Sequence, residues 1–159
     1  MAIALFLKVA GATGESKNAA YKDTTELEWF EWGTEQPTTI ESGGGGGAGK
    51  VDFHNLTCRA TVDKVYPALL IKCADGTHID KVEVMGAKMG GDQIEYFKIT
   101  MEKVLVTKCD VSGSKGAEVV ALYSFQGATV KSEYSVQTDT GGKGATSEFG
   151  WNIKENKKM

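Results

Sequence analysis

The sequence predicts an all-β fold, a barrel or sandwich of about seven to nine strands with one short α-helix. Three observations lead to this prediction. Segments of alternating apolar and polar residues recur along the chain, glycine pairs such as Gly90-Gly91 separate them, and one short apolar run contains a proline at its start. A length of 159 residues is that of one ordinary domain, so residues 1–159 are assigned to a single domain.

The first two strands are predicted in the N-terminal part of the chain. Residues 2–9 alternate in polarity and form the first strand. The second strand covers residues 24–36. Its apolar pattern changes phase by one residue, because Leu27 and Trp29 share one parity, whereas Phe30 and Trp32 share the other. Such a change is typical of a β-bulge or of a strand that is covered on both sides.

The helix is predicted over residues 67–74, because Pro67 suits the first helical position and Asp75-Gly76 can end the helix. Almost all of this segment is apolar. We expect it to pack against the sheet or the mouth of a barrel, since full exposure would leave three large side chains in water: Leu69, Leu70 and Ile71.

The other strands are predicted on either side of the helix. A glycine-rich loop within residues 34–49 precedes a third strand over residues 50–62. After the helix, alternating patterns between glycine turns predict four more strands, over residues 78–89, 93–110, 118–136 and 149–156.

The composition is that of a globular domain, with 41% hydrophobic and 25% charged residues. The formal net charge is −3, and Arg59 is the single arginine. Without a concentrated basic patch to hold phosphates, nucleic-acid binding is not expected.

The N-terminal segment does not have the pattern of a secretory signal, because no positive residue precedes the apolar run and Lys8 interrupts it. No segment approaches the roughly 20 apolar residues of a membrane span. We therefore expect synthesis in the cytoplasm, no membrane insertion, and secretion without a cleavable signal peptide. Three cysteines without a CxxC spacing predict buried thiols rather than a disulfide framework.

Gly44, Gly49 and Lys50 have the spacing of a phosphate-binding P-loop. That motif also needs a serine or threonine after the lysine and a helix that begins at the phosphates. Here Val51 occupies the hydroxyl position, and residues 51–57 have the pattern of a strand. We predict an exposed loop and no cofactor.

His54 and Cys58 are residue types that could form a metal site or a thiol nucleophile with its base. On a strand, a separation of four residues places them about 13 Å apart at about 3.3 Å per residue, too far for one ion or one hydrogen bond. We predict no metal site here unless His78 or another strand supplies the missing ligands.

Four carboxylates lie on the second predicted strand and could in principle include an acid–base pair: Glu26, Glu28, Glu31 and Glu35. A solvated strand face is the commoner cause of such a run. No catalytic residue is therefore predicted.

Short segments along nearly the whole chain resemble segments of a known protein family. They are Phe6-Leu7-Lys8, Gly14-Glu15-Ser16-Lys17, Phe30-Glu31-Trp32-Gly33, the glycine run ending in Ala48-Gly49-Lys50-Val51, Asp63-Lys64 ahead of Pro67, Gln93-Ile94-Glu95-Tyr96, Val104-Leu105-Val106 and Gly150-Trp151-Asn152-Ile153. In this order and spacing they resemble the haemolysin-coregulated (Hcp) family.

The resemblance implies a non-enzymatic β-barrel with a short helix that assembles into hexameric rings around a channel. Such rings stack into the inner tube of a type VI secretion machine. The implied partners are further copies of the chain, neighbouring rings, a spike protein with valine–glycine repeats, the sheath, and effector proteins carried in the channel.

The resemblance also implies two sets of functional residues. Trp29 and Glu31 of the second strand would face the channel and contact effectors. The glycine-rich loop would contact the next ring through Ser42, Gly43, Gly44, Gly45, Gly46, Gly47, Ala48, Gly49 and Lys50.

Two alternative functions remain open at this point. One is a tail tube protein of a contractile phage-like particle, which would share the ring architecture. The other, from a different class, is a small β-barrel hydrolase that uses Cys58 and His54 or the carboxylates of the second strand.

Overall fold

The computed structural model describes residues 2–38, 47 and 49–159. This part of the chain forms eleven strands and one helix: β1 (Ala2–Val9), β2 (Thr25–Leu27), β3 (Trp29–Glu31), β4 (Thr34–Glu35), β5 (Asp52–Phe53), β6 (Leu56–Thr61), α1 (Val65–Asp75), β7 (Ile79–Met89), β8 (Ile94–Ser112), β9 (Val120–Gln137), β10 (Lys143–Asn152) and β11 (Lys157–Lys158). The predicted all-β class with a single short helix is confirmed.

The longest pairings of the sheet involve β9. Along one edge it pairs with β8 over nearly its whole length. Along the other edge it pairs with β6 as far as Phe125, and with β10 from Thr129 onward. The sheet therefore forks at residues 126–128, and one continuous strand belongs to both branches.

From β8 the sheet continues through β7 and β1 to β2, while β3 pairs with β6 on the other branch. β2 and β3 are separated only by Glu28, whose backbone N–H donates to the Arg59 carbonyl oxygen at 2.8 Å. The described strands do not close into a continuous barrel. The last strand of one branch, β2, and the last strand of the other, β3, are nevertheless adjacent, because the chain only bends at Glu28 between them.

The same bend accounts for the change of phase in the second predicted strand. Thr25 and Leu27 are buried before the bend, whereas Phe30 and Trp32 are the half-buried residues after it. The predicted change of phase is therefore present, but it occurs at Glu28, so Trp29 is exposed instead of sharing the buried side with Leu27. The segment divides into β2, β3 and β4.

The core lies against the inner face of this sheet. On β6 every second side chain is fully buried, and the opposing residues of β9 are buried in the same way: Leu56, Cys58, Ala60, Ala121, Tyr123 and Phe125. Each large apolar side chain removed from water contributes about 1.5–3 kcal/mol. A smaller cluster forms where the Phe6 and Tyr21 rings stack at 4.3 Å.

The helix begins two residues earlier than predicted, at Val65. The Asp63 carboxylate accepts the Val65 N–H at 3.0 Å, so this side chain satisfies a free donor of the first turn. Pro67 still lies in that first turn, where its missing N–H costs nothing. Gly76 ends the helix at a φ of 71°, as the sequence predicted.

The expectation that the sheet covers all three large apolar residues of the helix was wrong for two of them. Leu69 is fully buried, but Leu70 is 41% and Ile71 is 61% exposed. Successive helical residues point about 100° apart, because a turn contains 3.6 residues. Only one side of α1 can therefore pack against the core.

The last long strand was predicted too far toward the C-terminus. β10 covers Lys143–Asn152, so it begins six residues before the predicted start at residue 149. Its first half is rich in small and polar residues, which gave no strand pattern. Backbone pairing with β9 determines the strand there, and such tertiary pairing overrides local propensity.

Gly127, at the fork of the sheet, provides the first testable prediction. A Cβ atom at this position would lie 2.9 Å from the Met101 Cβ atom and 3.1 Å from the Thr129 carbonyl oxygen. We expect Gly127→Ala to lower the free energy of unfolding by about 1–3 kcal/mol through overpacking. Chemical denaturation measures this change.

Gly113→Ala is the matched control, because a Cβ atom there would make only an ordinary contact of 3.5 Å with Val119. Its free energy of unfolding should stay within about 0.5 kcal/mol of the parent value. Equal effects of the two substitutions would contradict the tight packing at the fork.

Candidate functional site

Trp29 and Glu31 lie on the same face of β3, and both side chains are exposed. Phe30, between them, points the opposite way and stacks on the Phe97 ring at 5.6 Å. Because successive strand residues face opposite sides, Trp32 should also lie on the inner side. It does, and its ring stacks against Phe53 at 6.0 Å.

The outer face that carries Trp29 and Glu31 continues across the neighbouring strands. Residues directly opposite one another share a face, so the pairings of β3, β6, β9 and β8 give two rows on this side. One row is Trp29, Arg59, Leu122 and Asp110, and the other is Glu31, Thr57, Ser124 and Lys108. The face is therefore mostly polar and carries charges of both signs.

Two contacts hold parts of this outer face in place. The Arg59 Nε atom lies 2.9 Å from a Glu28 carboxylate oxygen, and the Thr57 and Ser124 hydroxyls lie 2.9 Å apart. An open groove of about 670 Å³ lies against the first row and includes Trp29 and Arg59 in its lining. This surface can receive a ligand in contact with an aromatic ring and with polar groups.

Most of the predicted ring-stacking loop lies outside the described residues. Ser42, Gly43, Gly44, Gly45, Gly46 and Ala48 belong to that part, whereas Gly47, Gly49 and Lys50 are described and exposed. The Gly49 N–H donates to the Pro37 carbonyl oxygen at 3.0 Å. Soon after Lys50 the chain enters β5, so the helix that a P-loop requires does not follow.

His54 and Cys58 do not form a site together. The Cys58 side chain is fully buried, and burial raises the pKa of its thiol, which keeps it from acting as a thiolate nucleophile or ligand. His54 is exposed instead, and its Nε2 atom lies 3.6 Å from a Glu35 carboxylate oxygen.

The carboxylates of the second predicted strand are dispersed rather than paired. Glu26 accepts a hydrogen bond from the Ser16 hydroxyl, Glu28 pairs with Arg59, and Glu35 lies near His54. Glu31 stands alone on the outer face among the described residues. An acid–base pair of the kind considered from the sequence is therefore not assembled from these four side chains.

A group that sequence reasoning missed lies beside this segment. Glu35, Asp52 and His54 bring one ligand atom each within 4.8 Å of the others. The pairing of Glu35 with Asp52 across β4 and β5 creates the group. A prediction that these short segments form a hairpin could have found it, because the hairpin register places both carboxylates side by side.

A family model described as the type VI secretion system effector Hcp matches residues 6–138, most of the chain. The chain belongs to the Hcp family. It is also 34% identical to the protein hcp1 of Pseudomonas aeruginosa, with 98% of each sequence covered. These findings confirm the resemblance that was noted in the sequence.

Solved Hcp structures have the same fold. Hcp1 from Salmonella typhimurium is 31% identical and superposes with a TM-score of 0.83 over 100% of both chains. A type six secretion system protein superposes with a TM-score of 0.93 at 25% identity, over 99% of this chain and 100% of that one. The structural match to Hcp thus extends over the whole chain.

Segments that carried the resemblance to Hcp contact one another in the fold. The Glu15 N–H donates to the Asp63 carboxylate at 3.2 Å, and the Lys64 N–H donates to the Glu15 carboxylate at 2.9 Å. These contacts join the loop after β1 to the start of α1. Within the described part of the chain, no helix is long and apolar enough to cross a membrane.

The opposite orientations of Glu31 and Trp32 provide the second prediction. We expect Trp32→Ala to lower the free energy of unfolding by about 3 kcal/mol, because a large aromatic side chain leaves the core. Glu31→Gln on the exposed face should change it by less than about 0.5 kcal/mol. Urea denaturation measures both, and a larger loss for Glu31→Gln would reverse the assignment of the two faces.

Proposed function

We propose that this Hcp-family chain is made in the cytoplasm and forms hexameric rings that stack into the inner tube of a type VI secretion machine. The machine secretes the tube, whose channel carries effector proteins. A match to secretion proteins over the whole chain carries this proposal. The partners are further copies of the chain, the sheath, a spike protein with valine–glycine repeats, and the effectors.

An uncovered apolar surface supports assembly with further copies. Along β9, Val130 is buried in the core, and Tyr134 and Val136 follow on the same side but are 47% and 44% exposed. Phe149 of the paired β10 is 41% exposed on this same side. The core side of the sheet thus continues beyond the part that the subunit itself covers.

The edge of β10 also supports a ring. β11 pairs with Trp151 and Asn152, and the Met159 N–H donates to the Gly150 carbonyl oxygen at 3.2 Å. Within the described residues, the outer edge of β10 before Gly150 is therefore open. An open edge next to apolar side chains favours association with another chain. In a closed ring, every subunit can cover the same edge of its neighbour.

Trp29 and Glu31 are assigned to the channel wall. The polar outer face of β3, β6, β9 and β8 suits a water-filled channel, and an exposed tryptophan beside a carboxylate offers both apolar and charged contacts to a protein cargo. A catalytic role is not part of the proposal, and the function is structural transport.

Residues 42–50 are assigned to the contact between stacked rings. Five successive glycines allow close approach of two backbones, and ordering them costs conformational entropy that a contact with the next ring can offset. Lys50, the last residue of this segment, is exposed and can form an ion pair with a carboxylate of the next ring.

The state of assembly provides the third prediction. Light scattering of the purified protein should give about six protomers per particle, the closed ring of the proposal. The double substitution Tyr134→Gln with Phe149→Gln should shift the protein toward smaller species at low micromolar concentration, because it removes apolar contact area.

The control is Glu133→Gln with Glu148→Gln, since these residues directly precede the two aromatic residues and face the opposite side. This variant should remain in rings. A parent protein that stays monomeric at all concentrations would refute the ring proposal.

The stacking segment provides the fourth prediction. Replacing Gly45 and Gly46 by proline should preserve the ring but reduce tube length and secretion, because proline restricts the backbone at the contact. Lys50→Ala should have a milder effect, since an exposed ion pair contributes about 0–1 kcal/mol. Negative-stain microscopy measures tube length, with Lys115→Ala as a control on another exposed turn. Normal stacking by the proline variant would remove these residues from the contact.

A further inference from the structure

The β4–β5 hairpin flanks residues 42–50 and presents three potential metal ligands on one face. Glu35 lies directly opposite Asp52 in the strand pairing, so both carboxylates project from the same side. His54 follows two residues after Asp52. Its backbone N–H donates to the Gly33 carbonyl oxygen at 2.9 Å, which adds a backbone hydrogen bond beyond the paired residues of the hairpin. The imidazole therefore lies on that side as well.

Gly33 provides the space for this imidazole. A Cβ atom at residue 33 would lie 3.4 Å from the His54 Nδ1 atom, so the ring rests against a position without a side chain. The other ring nitrogen, Nε2, is then directed toward Glu35. Beneath the hairpin, Phe53 is buried between Trp32 and Trp151, which fixes the backbone that carries Asp52 and His54.

We propose that Glu35, Asp52 and His54 bind a divalent transition-metal ion of the zinc class. Their ligand atoms lie within 4.8 Å of one another. The Nε2–carboxylate distance of 3.6 Å is longer than a good hydrogen bond. It is close to the separation of about 3.4 Å expected for two ligands that bind a tetrahedral zinc ion at about 2.0–2.1 Å.

The charges of the hairpin favour the same assignment. Two carboxylates directly opposite each other repel, and strands of two residues have few backbone hydrogen bonds to oppose that repulsion. A divalent cation between them would remove the repulsion. The imidazole favours zinc over magnesium, which prefers an all-oxygen ligand set. Water would complete the coordination, because all three side chains are exposed.

The experiment is calorimetric titration of the untagged, full-length protein with zinc chloride, and separately with magnesium chloride. We expect saturable binding of one zinc ion per chain and at least ten-fold weaker binding of magnesium. His54→Ala and Glu35→Gln should each weaken zinc binding at least ten-fold. These residues lie on the surface, so the variants should retain the folded state, which circular dichroism verifies.

Two matched controls identify the ligands. His78→Ala removes the chain's other histidine, which is exposed outside this hairpin, and should leave zinc affinity unchanged. Cys73→Ser with Cys109→Ser removes the partly buried thiols and should also leave it unchanged. The proposal would be overturned by the absence of saturable zinc binding, by undiminished binding in His54→Ala, or by loss of binding only in the cysteine variant. None of these outcomes depends on ring formation.

Discussion

The architecture depends on β9 serving two branches of one sheet. Its first third pairs with β6 and its second half with β10, while β8 pairs with it along the other edge. The change of partner occurs at Gly127, where even a methyl group would meet the Met101 side chain and two carbonyl oxygens. One strand thus belongs to both branches. The polar face that carries Glu31 and the apolar surface around Tyr134 are therefore fixed relative to each other by the continuous backbone of β9 and its hydrogen bonds.

This arrangement explains how one sheet can offer two chemically different surfaces. Where the β6 branch and the helix cover the sheet, the inward side chains of β9 form a dry core around Tyr123 and Phe125. Beyond the fork the inward parity of β9 changes, and Val130 is the buried residue. Tyr134 and Val136 follow on the side of Val130, but the covering elements end there, and both side chains are left partly in water. An apolar face without its own cover lowers the free energy when another chain covers it. In the proposed ring, a neighbour would cover this surface, which is left open because β9 is longer than the elements that pack against it.

Local patterns predicted the features that depend on neighbouring residues. The first strand has the predicted ends, the helix ends at Gly76, and the phase change after Leu27 is present. The features that were missed depend on distant residues. The first half of β10 is a strand because β9 pairs with it, and the exposure of Ile71 follows from which side of α1 meets β8. The approach of Glu35, Asp52 and His54 required the hairpin register, which the intervening segment hides from any pattern along the sequence.

The hairpin that flanks residues 42–50 has two faces with different tasks in the proposed assembly. Its inner face is anchored through Phe53, which packs between two tryptophans of the core. Its outer face carries Glu35, Asp52 and His54, where a bound cation would remove the repulsion between the two carboxylates. This anchor separates the core from the outer face, because the Phe53 side chain points to the side of the strand opposite to Asp52 and His54. In the proposed assembly, a cation bound at Glu35, Asp52 and His54 would act on the chain where it enters and leaves the stacking segment, and the fold of the subunit would not change. Ring formation and ring stacking would then be separable properties of one chain.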